Sequence, residues 1–107
     1  MSASTPEGKV KAKIDAILKP YKASGRLWYT KTAGSMFGKN GVPDYIGCCM
    51  TYWKERLFFA IEAKAGKGKP SDLQEACMRD IEKAGGICLV INETNLQELQ
   101  DFLSVNS

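Results

Sequence analysis

The run LFFAIEAKA, residues 57–65, limits the fold more than any other segment. Its aromatic and β-branched side chains and its short length favour a strand over a helix. Alternate residues of a strand share a face, so Phe58, Ala60, Glu62 and Lys64 point one way and Leu57, Phe59, Ile61 and Ala63 the other. Glu62 and Lys64 therefore lie side by side at the end of an apolar strand. Taken alone, such a pair is an exposed ion bridge worth about 0–1 kcal/mol. What folds beside it decides whether it does chemistry.

The flanking segments supply the rest of the architecture. Thr5 caps a first helix, Pro6 suits its first position, and Val10, Ile14, Ile17 and Leu18 form one apolar stripe opposite a lysine-rich face; Pro20 and Gly25 kink or end it. Residues 26–30 read as a strand, a Gly-containing loop follows, and a second strand covers roughly residues 42–50. A hairpin turn at 53–56 leads into the strand at 57–65, making the three strands antiparallel neighbours. Ser71 and Gln74 form a capping box for a helix that ends at Gly85 and Gly86, with Leu73, Cys77 and Ile81 facing inward. A buried strand, ICLVI, comes next, and Thr94 with Gln97 suggests a second capping box for a last helix carrying Leu96, Leu99 and Leu103. The expected order is α-β-β-β-α-β-α, a single α/β domain over residues 1–107 with a mixed four-stranded sheet flanked by helices.

Composition narrows the function. At 107 residues the chain has room for one domain with a modest core. It is 44% hydrophobic and 25% charged, which excludes a disordered chain, and no apolar run is long enough to span a bilayer or to act as a secretory signal. The expected compartment is the cytoplasm, with no membrane partner and no organic cofactor. There is no histidine, which removes Ser/His and Cys/His catalysis and any mixed cysteine/histidine zinc site. Cys48, Cys49, Cys77 and Cys88 lack metal-binding spacing and read as reduced, small hydrophobes. Carboxylates, lysines and a bound metal remain as the reactive groups. Residues 1–69 hold 13 Lys/Arg against 5 Asp/Glu, whereas residues 70–107 hold 2 against 7. A basic region containing Trp28, Tyr29, Tyr52 and Trp53 suits a polyanion.

The second strand changes the weight of Glu62 and Lys64. Its start, GVPDYIGC, places Asp44 where an antiparallel partner would bring it beside Glu62. Two carboxylates at that separation repel, and a hard divalent cation such as Mg²⁺ relieves the repulsion while keeping positions open for water and a phosphate oxygen. Metal bound there would polarise a phosphodiester and acidify an attacking water. Lys64 has two candidate tasks, to orient or deprotonate the nucleophile or to neutralise the pentavalent phosphate.

Gly41-Val42-Pro43-Asp44, Ile61-Glu62-Ala63-Lys64 and Ser71-Asp72-Leu73-Gln74, in that order, resemble the PD-(D/E)xK nuclease superfamily, and within it the virus-type replication-repair nuclease (VRR-NUC) domain. The opening TPEGKVKAKI and the AGG before the last strand extend the resemblance over nearly the entire chain. The resemblance implies a restriction-endonuclease-like core and a Mg²⁺ or Mn²⁺ site formed by Asp44, Glu62 and the backbone carbonyl of Ala63, with Lys64 assisting the water. It assigns Glu7 to the metal, directly or through water, and Gln74 to the catalytic set. Glu7 equally suits the dipole of a first helical turn, and Gln74 its capping box.

The resemblance is to the standalone bacteriophage kind, which would act in the host cytoplasm, and implies a homodimer that cuts branched DNA such as Holliday junctions. No motif reads a base sequence, so Lys31, Lys39, Lys67 and Lys69, in loops flanking the site, are expected to contact phosphates. Two other readings compete: a nucleic-acid-binding protein of the same fold without turnover, and a sequence-specific restriction-type endonuclease.

Overall fold

A computed structural model describes residues 5–32, 41–51 and 53–106. The elements run α1 (Pro6–Ala23), β1 (Leu27–Lys31), β2 (Tyr45–Met50), β3 (Arg56–Ala63), α2 (Asp72–Lys83), β4 (Ile87–Ile91) and α3 (Leu96–Asn106), in the expected α-β-β-β-α-β-α order. The four strands form one mixed sheet in the order β1-β2-β3-β4. β1 and β2, and β2 and β3, pair antiparallel, while β4 joins β3 in parallel through the α2 crossover. Among the described residues no helix is long and apolar enough to cross a membrane.

The main core lies between one sheet face and the helices α1 and α3. Val10, Ile14 and Leu18 of α1 and Leu99 and Leu103 of α3 meet Tyr29, Tyr45, Phe59, Ile61 and Ile91. Phe59 also packs edge-on against Phe102, with ring centroids 5.9 Å apart. Gly47, paired with Phe59 across the ladder, makes room for that ring: a Cβ on Gly47 would lie 2.8 Å from Phe59 Cζ and run into the Trp28 carbonyl. Helix α2 packs on the opposite face, over β3 and β4. There Cys77 and Met78 are buried, the Cys88 thiol donates to the Met78 carbonyl at 3.6 Å, and Ile81 and Phe58 both crowd Gly86.

Several local expectations need correction. Helix α1 ends just before Gly25, as expected, but it does not stop at Pro20: it continues to Ala23, where the Ser24 and Arg26 amides close its last turn onto Pro20 and Tyr21. Leu73 does not face inward on α2: it is exposed, and Met78 takes the inner position with Cys77. The strand ICLVI is not buried throughout, because β4 is a sheet edge. Ile91 is fully buried, whereas Ile87 and Val90 are more than a third exposed. Thr94 is not the cap of α3. Its hydroxyl donates to Asn92 Oδ1, and the helix begins one residue later, after Asn95, which bonds Asn92, Val90 and Glu98. Cys49 and Cys77 behave as buried hydrophobes, but Cys48 is exposed, and all four thiols are free.

Candidate active site

Register brings the acidic residues together. Tyr45 pairs with Ile61, so the residue before β2, Asp44, falls opposite Glu62 at the end of β3. The segment leading into β2 is held from both sides. Thr32 donates its amide to the Asp44 carbonyl at 2.9 Å and its hydroxyl to the Pro43 carbonyl at 2.7 Å, and both Thr32 and Pro43 are fully buried. Gly41 adopts φ +90°, a left-handed conformation that favours glycine, and backs onto α2 so closely that a Cβ would lie 2.7 Å from the Leu73 carbonyl oxygen. The Gly-Val-Pro-Asp segment is thereby wedged between β1 and the start of α2.

Asp44 accepts the Ala63 amide at 2.8 Å through Oδ2, an extra rung on the β2–β3 ladder, and its Oδ1 lies 3.6 Å from the Lys11 ammonium. Glu62 is 1% exposed. Its Oε2 receives both the Lys64 ammonium, at 3.1 Å, and the Gln74 side-chain amide, at 2.8 Å. Its Oε1 is buried with no hydrogen-bond partner. An unpartnered buried carboxylate oxygen is costly and rare in a folded chain. Burial first, and the Asp44 charge second, push the Glu62 carboxyl from its ordinary 4.5 up to about 7, with Lys64 pulling the other way.

Gln74 unites two roles that the sequence left as alternatives. Its Oε1 accepts the Ser71 amide at 2.8 Å while its own amide donates to Ser71 Oγ at 3.2 Å, completing the capping box. That arrangement leaves its Nε2 to point at Glu62. The orientation is fixed chemically, since an amide N–H can only donate to Oε1 and an ionised carboxylate can only accept from Nε2. The N-terminus of α2 thus doubles as a clamp on Glu62.

Glu7 lies in the first turn of α1, half-exposed, and pairs with Lys11 at 3.6 Å. It makes no direct contact with Glu62, though its charge adds to the upward push on that carboxyl. Lys11, between Glu7 and Asp44, is the site residue that sequence reasoning missed. Its signal was the i,i+4 spacing from Glu7, hidden among the many lysines of α1.

The lysines expected at phosphates separate. Lys67 and Lys69 stand exposed in the loop after β3, which is anchored where the Gly66 amide donates to both oxygens of Glu93, at 3.0 and 2.8 Å. Lys31 is not in a loop: it is the last residue of β1 and pairs with Asp15 at 2.7 Å, in a network that includes the Tyr45 hydroxyl. Lys39 lies outside the described residues.

Among the described residues no three Asp, Glu, Cys or His side chains gather into a ready-made metal cage. The donors that are present are two carboxylates, Asp44 and Glu62, with the Ala63 backbone between them and the orphaned Glu62 Oε1. Oxygen-only donors in that number match Mg²⁺, which is usually held by one or two carboxylates and completes its shell with water and substrate phosphate. No family, no curated protein and no solved structure matches the chain.

Proposed function

We propose that this chain is a Mg²⁺- or Mn²⁺-dependent, structure-specific endodeoxyribonuclease with a restriction-endonuclease-like core, which hydrolyses phosphodiesters in branched DNA such as four-way junctions. The observation that carries the reading is the state of Glu62: almost completely buried, opposite Asp44, gripped on one oxygen by Lys64 and Gln74 and unpartnered on the other. A purely structural ion pair would have no reason to leave that oxygen bare.

Asp44, Glu62 and the Ala63 carbonyl would hold the metal, with Glu7 reaching it through water. The chemistry supplied by such an ion when bound is polarisation of the phosphodiester and acidification of a water. Gln74 fixes the Glu62 carboxylate through one oxygen, which leaves the other without a hydrogen-bond partner and available to the ion. Lys64, 17% exposed at its side chain, carries its charge to the rim of the site. There it orients the attacking water or neutralises the charge growing on the phosphoryl oxygens. Lys67 and Lys69, beyond it on the exposed loop, meet flanking phosphates without reading bases.

The enzyme acts in the cytoplasm, and as a twofold homodimer, because paired cuts in a junction require two copies of a site that each chain supplies once. The test is incubation of the purified protein with labelled single-stranded, duplex, flap and four-way junction DNA in Mg²⁺, Mn²⁺ or chelator. Cleavage of branched DNA in metal alone supports the reading, and binding without cleavage in any metal overturns it. Sedimentation that shows only monomer, with and without junction DNA, overturns the dimer.

A further inference from the structure

The two faces of the sheet are covered unequally. Helices α1 and α3 close one face, but on the other α2 reaches only β3 and β4. Over β1 and β2 no described helix covers that second face, and it carries Trp28 at 53% exposure, Met50 at 49% and exposed Cys48. At the end of the sheet, where this face meets the α1–β1 turn, a cleft of about 640 Å³ lined by Trp28 and Cys48 adjoins one of about 760 Å³ that reaches Ser104 and Val105 of α3, and the two share Gly25, Arg26 and Met50. Lys22 and Arg56 line one with Trp28, and Lys54 lines the other. Among the described residues no acidic side chain lines either.

We infer that this double cleft is a binding site for single-stranded nucleic acid, with Trp28 stacking on an unpaired base and Lys22, Arg26, Lys54 and Arg56 holding the backbone phosphates. The charge alone selects a polyanion. Trp28 narrows the class, because an indole half-exposed among four cations offers a ring to a base, and only an unpaired base offers its face in return. Lys22 borders Trp28: its ammonium lies 6.0 Å from the Trp28 ring centroid, while it sits over the Tyr29 ring at 4.9 Å and donates to the Tyr29 carbonyl at 3.3 Å.

The cleft is at the opposite end of the sheet from the candidate active site. It collects the start of β1, the end of β2 and the start of β3, whereas Asp44 and Glu62 lie at the start of β2 and the end of β3. Six residue steps along β3, from Arg56 to Glu62, separate them by ~20 Å. That is on the order of six nucleotides at the duplex spacing along one strand. The cleft would therefore hold the unpaired strand of a branched substrate that has one, such as a flap, while the carboxylates address the branch point. That last step rests on the nuclease reading, but the binding does not.

The experiment keeps the two apart. In Trp53→Phe protein Trp28 is the one remaining tryptophan, and its fluorescence is titrated with a short oligothymidylate in chelator, where no metal-dependent cleavage occurs. Saturable quenching is expected; because Trp28→Ala and Trp28→Phe lack that fluorophore, their affinity is read from the anisotropy of a dye-labelled oligothymidylate, and it should fall about tenfold in Trp28→Ala and be largely restored in Trp28→Phe, which keeps a stacking ring. The log–log salt slope should lessen by about 0.7 for each of Arg26→Ser and Arg56→Ser. Equal quenching by a duplex of the same length would overturn the inference. So would unchanged affinity in Trp28→Ala, anionic vesicles competing where the oligonucleotide does not bind, or Trp28→Ala converting a dimer to monomer, which would assign the face to a second copy. Intact quenching in a protein that cuts nothing would sink the nuclease reading alone.

Discussion

Replacing Glu62 by glutamine removes a buried charge whose protonation the fold shifts upward. The carboxyl titrates near 4.5 when the chain is unfolded and near 7 when it is folded. Between those values the folded chain keeps a proton that the unfolded chain has lost, so native stability falls as pH rises from about 4.5 to about 7 and is level above. At 1.36 kcal/mol for each pH unit the displacement amounts to about 3 kcal/mol at most, and about 2 kcal/mol is taken as the expected effect. The comparison is like for like, because a neutral carboxyl and an amide both leave Lys64 without its anion. Glu62→Gln in chelator should therefore match the wild type near pH 4.5 and exceed it by about 2 kcal/mol at pH 8, a rise in Tm of about 10 °C for a domain of this size. Thermal or urea unfolding followed by circular dichroism across that range reads the difference directly, since other groups titrate alike in both proteins. A variant less stable than wild type at pH 8, or a gap that does not change with pH, would refute the reasoning and return Glu62 to an ordinary, well-satisfied ion pair.

Lys64→Met keeps the apolar stem and removes the charge at the rim of the site, so single-turnover cleavage should fall by about a hundredfold or more while DNA affinity changes little; an unchanged rate would leave Lys64 no part in the reaction. Gly47→Ala puts a methyl group into the space taken by Phe59 and the Trp28 carbonyl, and should lower stability by about 3 kcal/mol in denaturant unfolding, whereas a neutral result would mean that the β1–β2–β3 packing is looser than described. Lys67→Ala and Lys69→Ala should weaken duplex DNA of every sequence alike and each reduce the salt slope by about 0.9, as filter binding at several salt concentrations would show; a loss confined to one sequence would favour base-specific reading.

How far the sequence carried these conclusions depends on the length scale of the signal. Local chemistry was legible. Thr5, Pro6, Ser71 and Gln74 announce helix starts that the chain uses as read, and the glycines at 85 and 86 announce an end. The pairing of Asp44 with Glu62 was also legible, because two short antiparallel strands joined by a tight turn leave little choice of register. Properties set by distant packing were not. ICLVI has the composition of a central strand, yet it closes a sheet edge, and nothing within those five residues records that no strand pairs beyond it. Leu73 looks like the first apolar contact of α2, but it is its backbone that meets Gly41, while its side chain faces solvent. Lys11 was invisible for a different reason: a lysine on a lysine-rich helix face differs from its neighbours only by facing Asp44, a contact made 33 residues along the chain. The bare Glu62 oxygen likewise exists only once the ladder, Lys64 and the cap of α2 have all closed around one carboxylate.

The most direct measurement is single-turnover cleavage of a labelled four-way junction by wild type, Asp44→Asn and Glu62→Gln, with junction affinity measured in Ca²⁺ on the same preparations. Both variants keep the volume of the native side chain and lose one anionic oxygen, so both should bind the junction as the wild type does and cut it at no measurable rate in Mg²⁺ or Mn²⁺. Cleavage by either variant at the wild-type rate, or by wild type in excess chelator, would show that the paired carboxylates at the ends of β2 and β3 are not the reaction centre.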